Sequence, residues 1–284
     1  MAFPGLERIY DNHFHLNYDG NYMESVNRFR NSGGTAINLT NLPVHGDNSQ
    51  DHYINMYGKH LEMAENVRKL SGLDVMVTIG PYPMDLFTVW KDITQGEMMA
   101  MRGIDQAARL IQDHRANAIG EVGRPHFKVD SKIMEACSRV MEHAFFTCSD
   151  LGVPVILHTE DLDASSVVEL EKMAVKCGIN PSMVVKHHAI PSNLDSVSGI
   201  TFSIPANRSS LRESLSYEGF FMLETDHIND PLDPGKFLPA DAVPKRAEWI
   251  LQEYGERGRE KLRKAFIELP EKLFGRNVFL NDKA

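Results

Sequence analysis

Two histidines spaced i, i+2, His13 and His15, end an apolar run that begins near Arg8. In an extended strand this spacing points both imidazoles to one face. Two neighbouring imidazoles are costly to bury unless their ring nitrogens find partners, and a metal ion serves both at once. A lone His-x-His is common by chance, but four other apolar runs end in the same kind of residue. Ala118-Ile119-Gly120 leads to Glu121, Ile156-Leu157 to His158, Val185-Lys186 to His187, and Met222-Leu223-Glu224-Thr225 to Asp226. The candidate ligands are therefore His13, His15, Glu121, His158, His187 and Asp226. A catalytic zinc ordinarily takes three protein ligands and a water, so six ligands suit two metals, with Glu121 bridging them. Two ions ~3.5–4 Å apart can hold a hydroxide and polarise a phosphoryl or carbonyl oxygen. Asp226 could then take the proton of the attacking water as general base. Imidazole-rich ligation favours zinc, manganese or iron over magnesium, which prefers oxygen donors, and zinc is the expected metal.

These six residues meet only if the runs carrying them end on one side of one sheet. Short β-branched runs alternate with helix-patterned segments along the whole chain. Strands are predicted at Arg8–His15, Ala36–Leu42, Asp74–Ile79, Asn117–Glu121, Val153–His158, Met183–His187, Ile200–Ile204 and Phe220–Glu224. Helices are predicted near Asn21–Asn31, Asp51–Leu70, Ser131–Leu151 and Asp163–Cys177. A further helical stretch lies before Asn117, and the tail from Pro244 to Leu273 also reads as helix. Gly178 is expected to cap the helix before it. Eight strands separated by helices is the count of a (β/α)8 TIM barrel, although a doubly wound open sheet shares the alternation. In a barrel every C-terminal strand end opens on the active-site face, which brings the six ligands together. No Gly/Ser-rich linker, charge block or internal repeat divides the chain, so residues 1–284 read as a single domain. The charges of the tail, among them Arg257, Arg259, Lys261, Arg263 and Lys264, read as a solvated helix face.

The 284 residues are 42% hydrophobic and 24% charged, a globular composition that argues against disorder. No apolar run approaches the ~18–20 residues of a membrane span, and Met1–Asp11 lacks the apolar core of a signal peptide. A cytoplasmic protein without a membrane partner is expected. The three cysteines, Cys137, Cys148 and Cys177, lack a CxxC spacing and read as reduced, buried thiols. The net charge of −9 works against non-specific binding of nucleic acid. Metal ions would supply local positive charge for a nucleic-acid substrate all the same.

The combination of HxH at 13–15, IGEVG at 119–123, ILH at 156–158, the His187 strand end and ETD at 224–226 resembles the TatD family of metal-dependent hydrolases. Gly80-Pro81-Tyr82-Pro83 resembles that family's Gly-x-His-Pro turn, and Leu269-Pro270-Glu271-Lys272-Leu273-Phe274-Gly275 its Asn-Pro-x-x-Leu-Phe ending. The likeness runs from Asp11 to about Gly275. It implies a (β/α)8 barrel, divalent metals and phosphodiester hydrolysis, with members acting as DNases, and it carries ligand roles onto the same six residues. Departures surround the ligands without deleting any. Asn17 stands where the family usually has Asp, Tyr82 replaces the turn histidine, and Arg124-Pro125 follows Glu121-Val122-Gly123 in place of Leu-Asp. His187-His188-Ala189-Ile190-Pro191 replaces His-Cys-Phe-Ser-Gly. They imply a divergent branch with its own substrate preference.

Of the adjacent pair His187 and His188, the strand end and the family pattern assign the metal to His187 and leave His188 for substrate. Arg124 and Arg208 follow strand ends and are candidate phosphate contacts. His126 and His227 lie near the rim. His45, His52, His60, His114 and His143 read as surface or packing residues. The leading expectation is a metal-dependent phosphodiesterase acting on DNA or a small phosphodiester. An amidohydrolase opening a cyclic amide, ester or lactone is the alternative. Glu121 argues against it, because such barrels usually bridge their metals with a carboxylated lysine on strand four. A non-catalytic metal-binding scaffold is a third reading, and the intact Asp226 weighs against it.

Overall fold

Strands buried on both faces belong to parallel sheets covered by helices, and the eight apolar runs meet that condition. The computed structural model describes residues 6–44, 48–90, 92–230, 232–233 and 235–280. Its strands are β1 (Tyr10–Phe14), β2 (Ala36–Thr40), β3 (Asp74–Ile79), β4 (Ala118–Gly123), β5 (Val155–His158), β6 (Val184–Lys186), β7 (Thr201–Pro205) and β8 (Met222–Glu224). All pair in parallel, in the order β1 to β8. The ends of the sheet then meet: Asp226 N donates to His13 O at 3.0 Å and His15 N to His227 O at 2.8 Å. Sequential order with this return makes a nearly closed (β/α)8 barrel and excludes the doubly wound sheet, whose strand order reverses at a switch point.

The covering helices are α1 (Tyr22–Asn31), α2 (His52–Ser71), α3 (Asp85–Thr88), α4 (Ile93–Gln112), α5 (Ser131–Leu151), α6 (Ala164–Lys176), α7 (Arg208–Ser214), α8 (Ala242–Arg263) and α9 (Leu269–Phe274). The side chains of Asp92, Asp130, Asp163 and Asn207 cap α4, α5, α6 and α7 by accepting a first-turn N–H, each worth about 1 kcal/mol. Gly72 and Gly152 take φ of 72° and 67° where α2 and α5 stop, a conformation that costs a residue with a Cβ. The helix before Asn117 is two helices, because Asp92 starts α4 afresh after the turn of α3. Cys177 caps α6, and Gly178 follows it at φ 80°. The three cysteines are free and buried. Among the described residues no helix is long and apolar enough to cross a membrane.

The barrel floor, at the N-terminal strand ends, is closed by the C-terminal segment. Arg8, 1% exposed, donates to Phe266 O and Glu271 Oε1, both at 3.2 Å, and lies 3.5 Å from the Phe279 ring centroid. Lys261 departs from the solvated face expected of the tail charges. It is buried, and its Nζ donates to Tyr217 O, Glu218 O and Gly219 O at 2.9, 2.8 and 2.8 Å. A helix position turned toward the barrel needs its donors satisfied, and the turn before β8 presents three carbonyls.

Candidate metal centre

The end of β1 sets the geometry. His13 and His15 reach the same side, with their Nε2 atoms 3.0 Å apart, while Phe14 packs outward against Phe29. His15 Nδ1 lies 2.9 Å from Thr40 O. A carbonyl only accepts, so that nitrogen carries the hydrogen and Nε2 presents its lone pair to the site. The carboxylate of Asp11 binds β1 to β8 by accepting from His13 N, Thr225 N and Thr225 Oγ1 at 3.2, 3.0 and 2.7 Å.

Glu121, at the end of β4, stands among four imidazoles. Its Oε1 lies 3.2 Å from His13 Nε2, 3.4 Å from His158 Nδ1 and 2.6 Å from His187 Nε2, and its Oε2 lies 3.9 Å from His15 Nε2. Asp226 Oδ1 lies 3.4 Å from His15 Nε2 and 3.9 Å from His13 Nε2, while Oδ2 faces His188 Nδ1 at 3.3 Å. Three overlapping groups could each hold a metal ion: His13, His15 and Glu121; Glu121, His158 and His187; and His13, His187 and Asp226. The donor set suits divalent cations, because one buried carboxylate is shared between two histidine pairs whose nitrogens face each other.

The electrostatics follow from the same contacts. Burial pushes the Glu121 carboxyl up, but His187 and His13 outweigh it and hold the group well below the usual carboxylate range. Asp226 is also held well below that range, burial being overcome by His15 and His188. Burial and the neighbouring His187 lower His13, favouring the neutral, ligating imidazole. Burial alone would lower His187, but Glu121 and Glu224 raise it to about 10. The two ionised carboxylates and the histidine nitrogens facing them form a donor set that divalent cations fit. His188 and Asp226 adopt φ of 49° and 50°, strained for residues with a Cβ and frequent where geometry serves a site.

The six candidate ligands come together, and all but His13 line, with His188, a pocket of about 870 Å3. Arg124 and Arg208 are placed elsewhere. Arg124 pairs with Glu160 Oε1 at 2.6 Å, Arg208 lies 5.8 Å from the Trp249 ring centroid, and neither lines the pocket. His227 is held between Leu238 O and Ser25 Oγ. His126, by contrast, lines the pocket with Nδ1 3.0 Å from His158 Nε2. His52 and His60 are buried in packing and His143 pairs with Asp105, whereas His45 lies outside the described residues. Four further residues complete the site. Tyr82 sets its ring 5.0 Å from that of His158, Glu224 Oε1 faces His187 Nδ1 at 3.4 Å and accepts from His188 N at 2.6 Å, and Lys186 and Lys236 line the pocket. The Gly-Pro-Tyr-Pro turn and the Glu-Thr-Asp run were the sequence signals for Tyr82 and Glu224. Lys186 had none.

Comparison with known proteins agrees with this architecture. The family model described as TatD related DNase matches residues 10–275. An uncharacterised protein of Methanocaldococcus jannaschii is 27% identical over 271 residues, covering 92% of this chain and 94% of its own. A TatD homologue from Escherichia coli superposes with a TM-score of 0.64 at 15% identity, covering 93% of this chain and 97% of that one. A TatD-like protein from Archaeoglobus fulgidus superposes with a TM-score of 0.62 at 16% identity, covering 93% and 99%.

Proposed function

The chain belongs to the TatD-related DNase family of metal-dependent hydrolases, and from that premise we propose that it hydrolyses phosphodiesters at the six-residue centre. The observation that carries this reading is Glu121, whose two oxygens face both histidine pairs while Asp226 stands beside them. His13, His15, Glu121, His158, His187 and Asp226 would hold two divalent cations, zinc by the imidazole content of the set. When bound, such a pair supplies Lewis acidity and lowers the pKa of the attacking water.

The residues supply the rest. Asp226, held ionised, takes the proton of that water at Oδ1 as general base, while His188 fixes its other oxygen. Thr40 and Glu224 orient His15 and His187, so that each ring nitrogen reaches the centre in one tautomer. His188, at the pocket wall, is a substrate contact. The pocket lies within the ~300–1,000 Å3 usual for small-molecule sites, and the net charge of −9 disfavours a long polyanion. A small phosphodiester or the end of a short DNA strand is therefore the substrate class.

Elemental analysis on protein purified without chelator, paired with hydrolysis of bis-p-nitrophenyl phosphate, tests the reading. About two metals per chain with turnover is expected. Bound metals without turnover on this ester or on short oligonucleotides would overturn phosphodiester hydrolysis.

A further inference from the structure

Lys186 closes β6 one residue before the candidate ligand His187. Strand alternation would send it to the face opposite His187, yet it lines the metal pocket and is 1% exposed. Its Nζ donates to Thr159 O at 3.1 Å and to His187 O at 2.7 Å. An ammonium has three N–H donors, so two carbonyls leave one. Among the described residues no carboxylate lies within 4.0 Å of Nζ. Glu224, Asp161, Glu121 and Glu160 act on it only from beyond that distance, and three of them have closer partners: Glu160 holds Arg124 at 2.6 Å, Glu224 accepts from His188 N at 2.6 Å, and Glu121 faces the histidines.

Lys261 shows what a lysine in this chain does when its role is bracing alone. All three of its donors reach backbone carbonyls at 2.8 to 2.9 Å. Lys186 is the more buried of the two, has one fewer partner, and is a lining residue of the metal pocket. A buried ammonium with no carboxylate in contact is costly. An oxyanion delivered by a substrate would remove that cost.

We propose that Lys186 is the anion anchor of the pocket: its third N–H holds an anionic oxygen of a phosphate ester on the His158–His187 side of Glu121. The inference deepens the phosphodiesterase reading and rests on it for the choice of phosphate. It makes Lys186 a specificity-determining residue, one that separates anionic phosphodiesters from neutral esters of the same shape.

The test compares binding of diethyl phosphate, an anion, with triethyl phosphate, its neutral counterpart, by calorimetry on the metal-loaded protein. The wild type should prefer the anion. Lys186→Gln keeps a donor for the carbonyls and removes the charge. It should weaken diethyl phosphate by roughly 10- to 100-fold, with triethyl phosphate binding and metal content unchanged. Equal losses for both probes would mean that Lys186 only braces the backbone, and no loss for either would mean no contact. Each of these, like a wild type without anion preference, overturns the proposal. A crystal structure of the wild type with diethyl phosphate checks it without a variant. A phosphate oxygen within hydrogen-bond reach of Nζ is expected, and one placed away from it would refute the assignment. Neither readout needs turnover. A protein that binds the anion through Lys186 yet hydrolyses no phosphodiester would retire the hydrolytic reading and leave this one standing.

Discussion

The two ends of the barrel treat buried charge in opposite ways. At the floor, Arg8 is shared among Phe266 O, Glu271 and the face of Phe279, and Lys261 has three carbonyls for three donors. At the mouth, four histidines and two carboxylates crowd within ligand distance, and Lys186 keeps a donor in hand. Floor charges are satisfied by the chain itself, which is how a charge contributes to stability. Mouth charges pair with one another around a centre that a cation can enter, which is how a charge contributes to function. The same division between a stabilising bottom face and a reactive top face runs through barrels of this kind.

Mutations at each end should therefore break different properties. The largest effect is expected from Asp226→Asn, which should lower turnover about 10²- to 10⁴-fold while metal content and the urea midpoint stay near wild type. Undiminished turnover would remove Asp226 from the role of base. At the floor, Arg8→Ala removes the buried donor to Phe266 O and leaves Glu271 with Arg276 at 4.0 Å alone. It should cost about 3 kcal/mol in urea unfolding with kcat of the folded enzyme retained. A variant with native stability but impaired catalysis would erase the distinction between the ends.

Glu224→Gln sharpens the comparison at the mouth, because Glu224 touches His187 without belonging to any of the three ligand groups. Removing its charge should weaken metal binding roughly 10-fold, read by titration against a chelator, with little change in the unfolding midpoint of the metal-free protein.

The smallest effect asks whether histidines, rather than burial, hold the mouth carboxylates ionised. Asp85 in α3 is as buried as Glu121, but its side-chain neighbour is Tyr53, and burial pushes it up to about 7. Between pH 4 and 7 the folded state then binds more protons than the unfolded one, so stability falls as pH rises through that window. Asp85→Asn should remove this slope and gain roughly 1 kcal/mol at pH 8 relative to pH 6, seen in urea midpoints at the two values. An unchanged slope would mean that burial alone does not raise a carboxyl here.

Much of the mouth could be read from the chain because its residues contradict their surroundings. A histidine or glutamate ending an apolar strand is unexpected there, and five strands repeat the pattern. Asp11 precedes His13 by two residues, yet its role is not legible there, since it depends on Thr225 arriving from β8. Arg124 and Arg208 looked equally placed for substrate. Which partner an arginine takes is decided by side chains such as Glu160 and Trp249 that lie far along the chain or across a loop.

The sequence by itself determined the alternation of strand and helix, the residue types at the strand ends and hence the chemistry available to the site. Those properties follow from local periodicity and from the cost of burying polar groups, which adjacent residues already express. Closure of β8 onto β1, the satisfaction of Lys261 and the spare donor of Lys186 were decided by tertiary structure alone. Each depends on where distant backbone carbonyls come to rest, because every amino acid carries the same carbonyl and its position is visible only once the chain has folded.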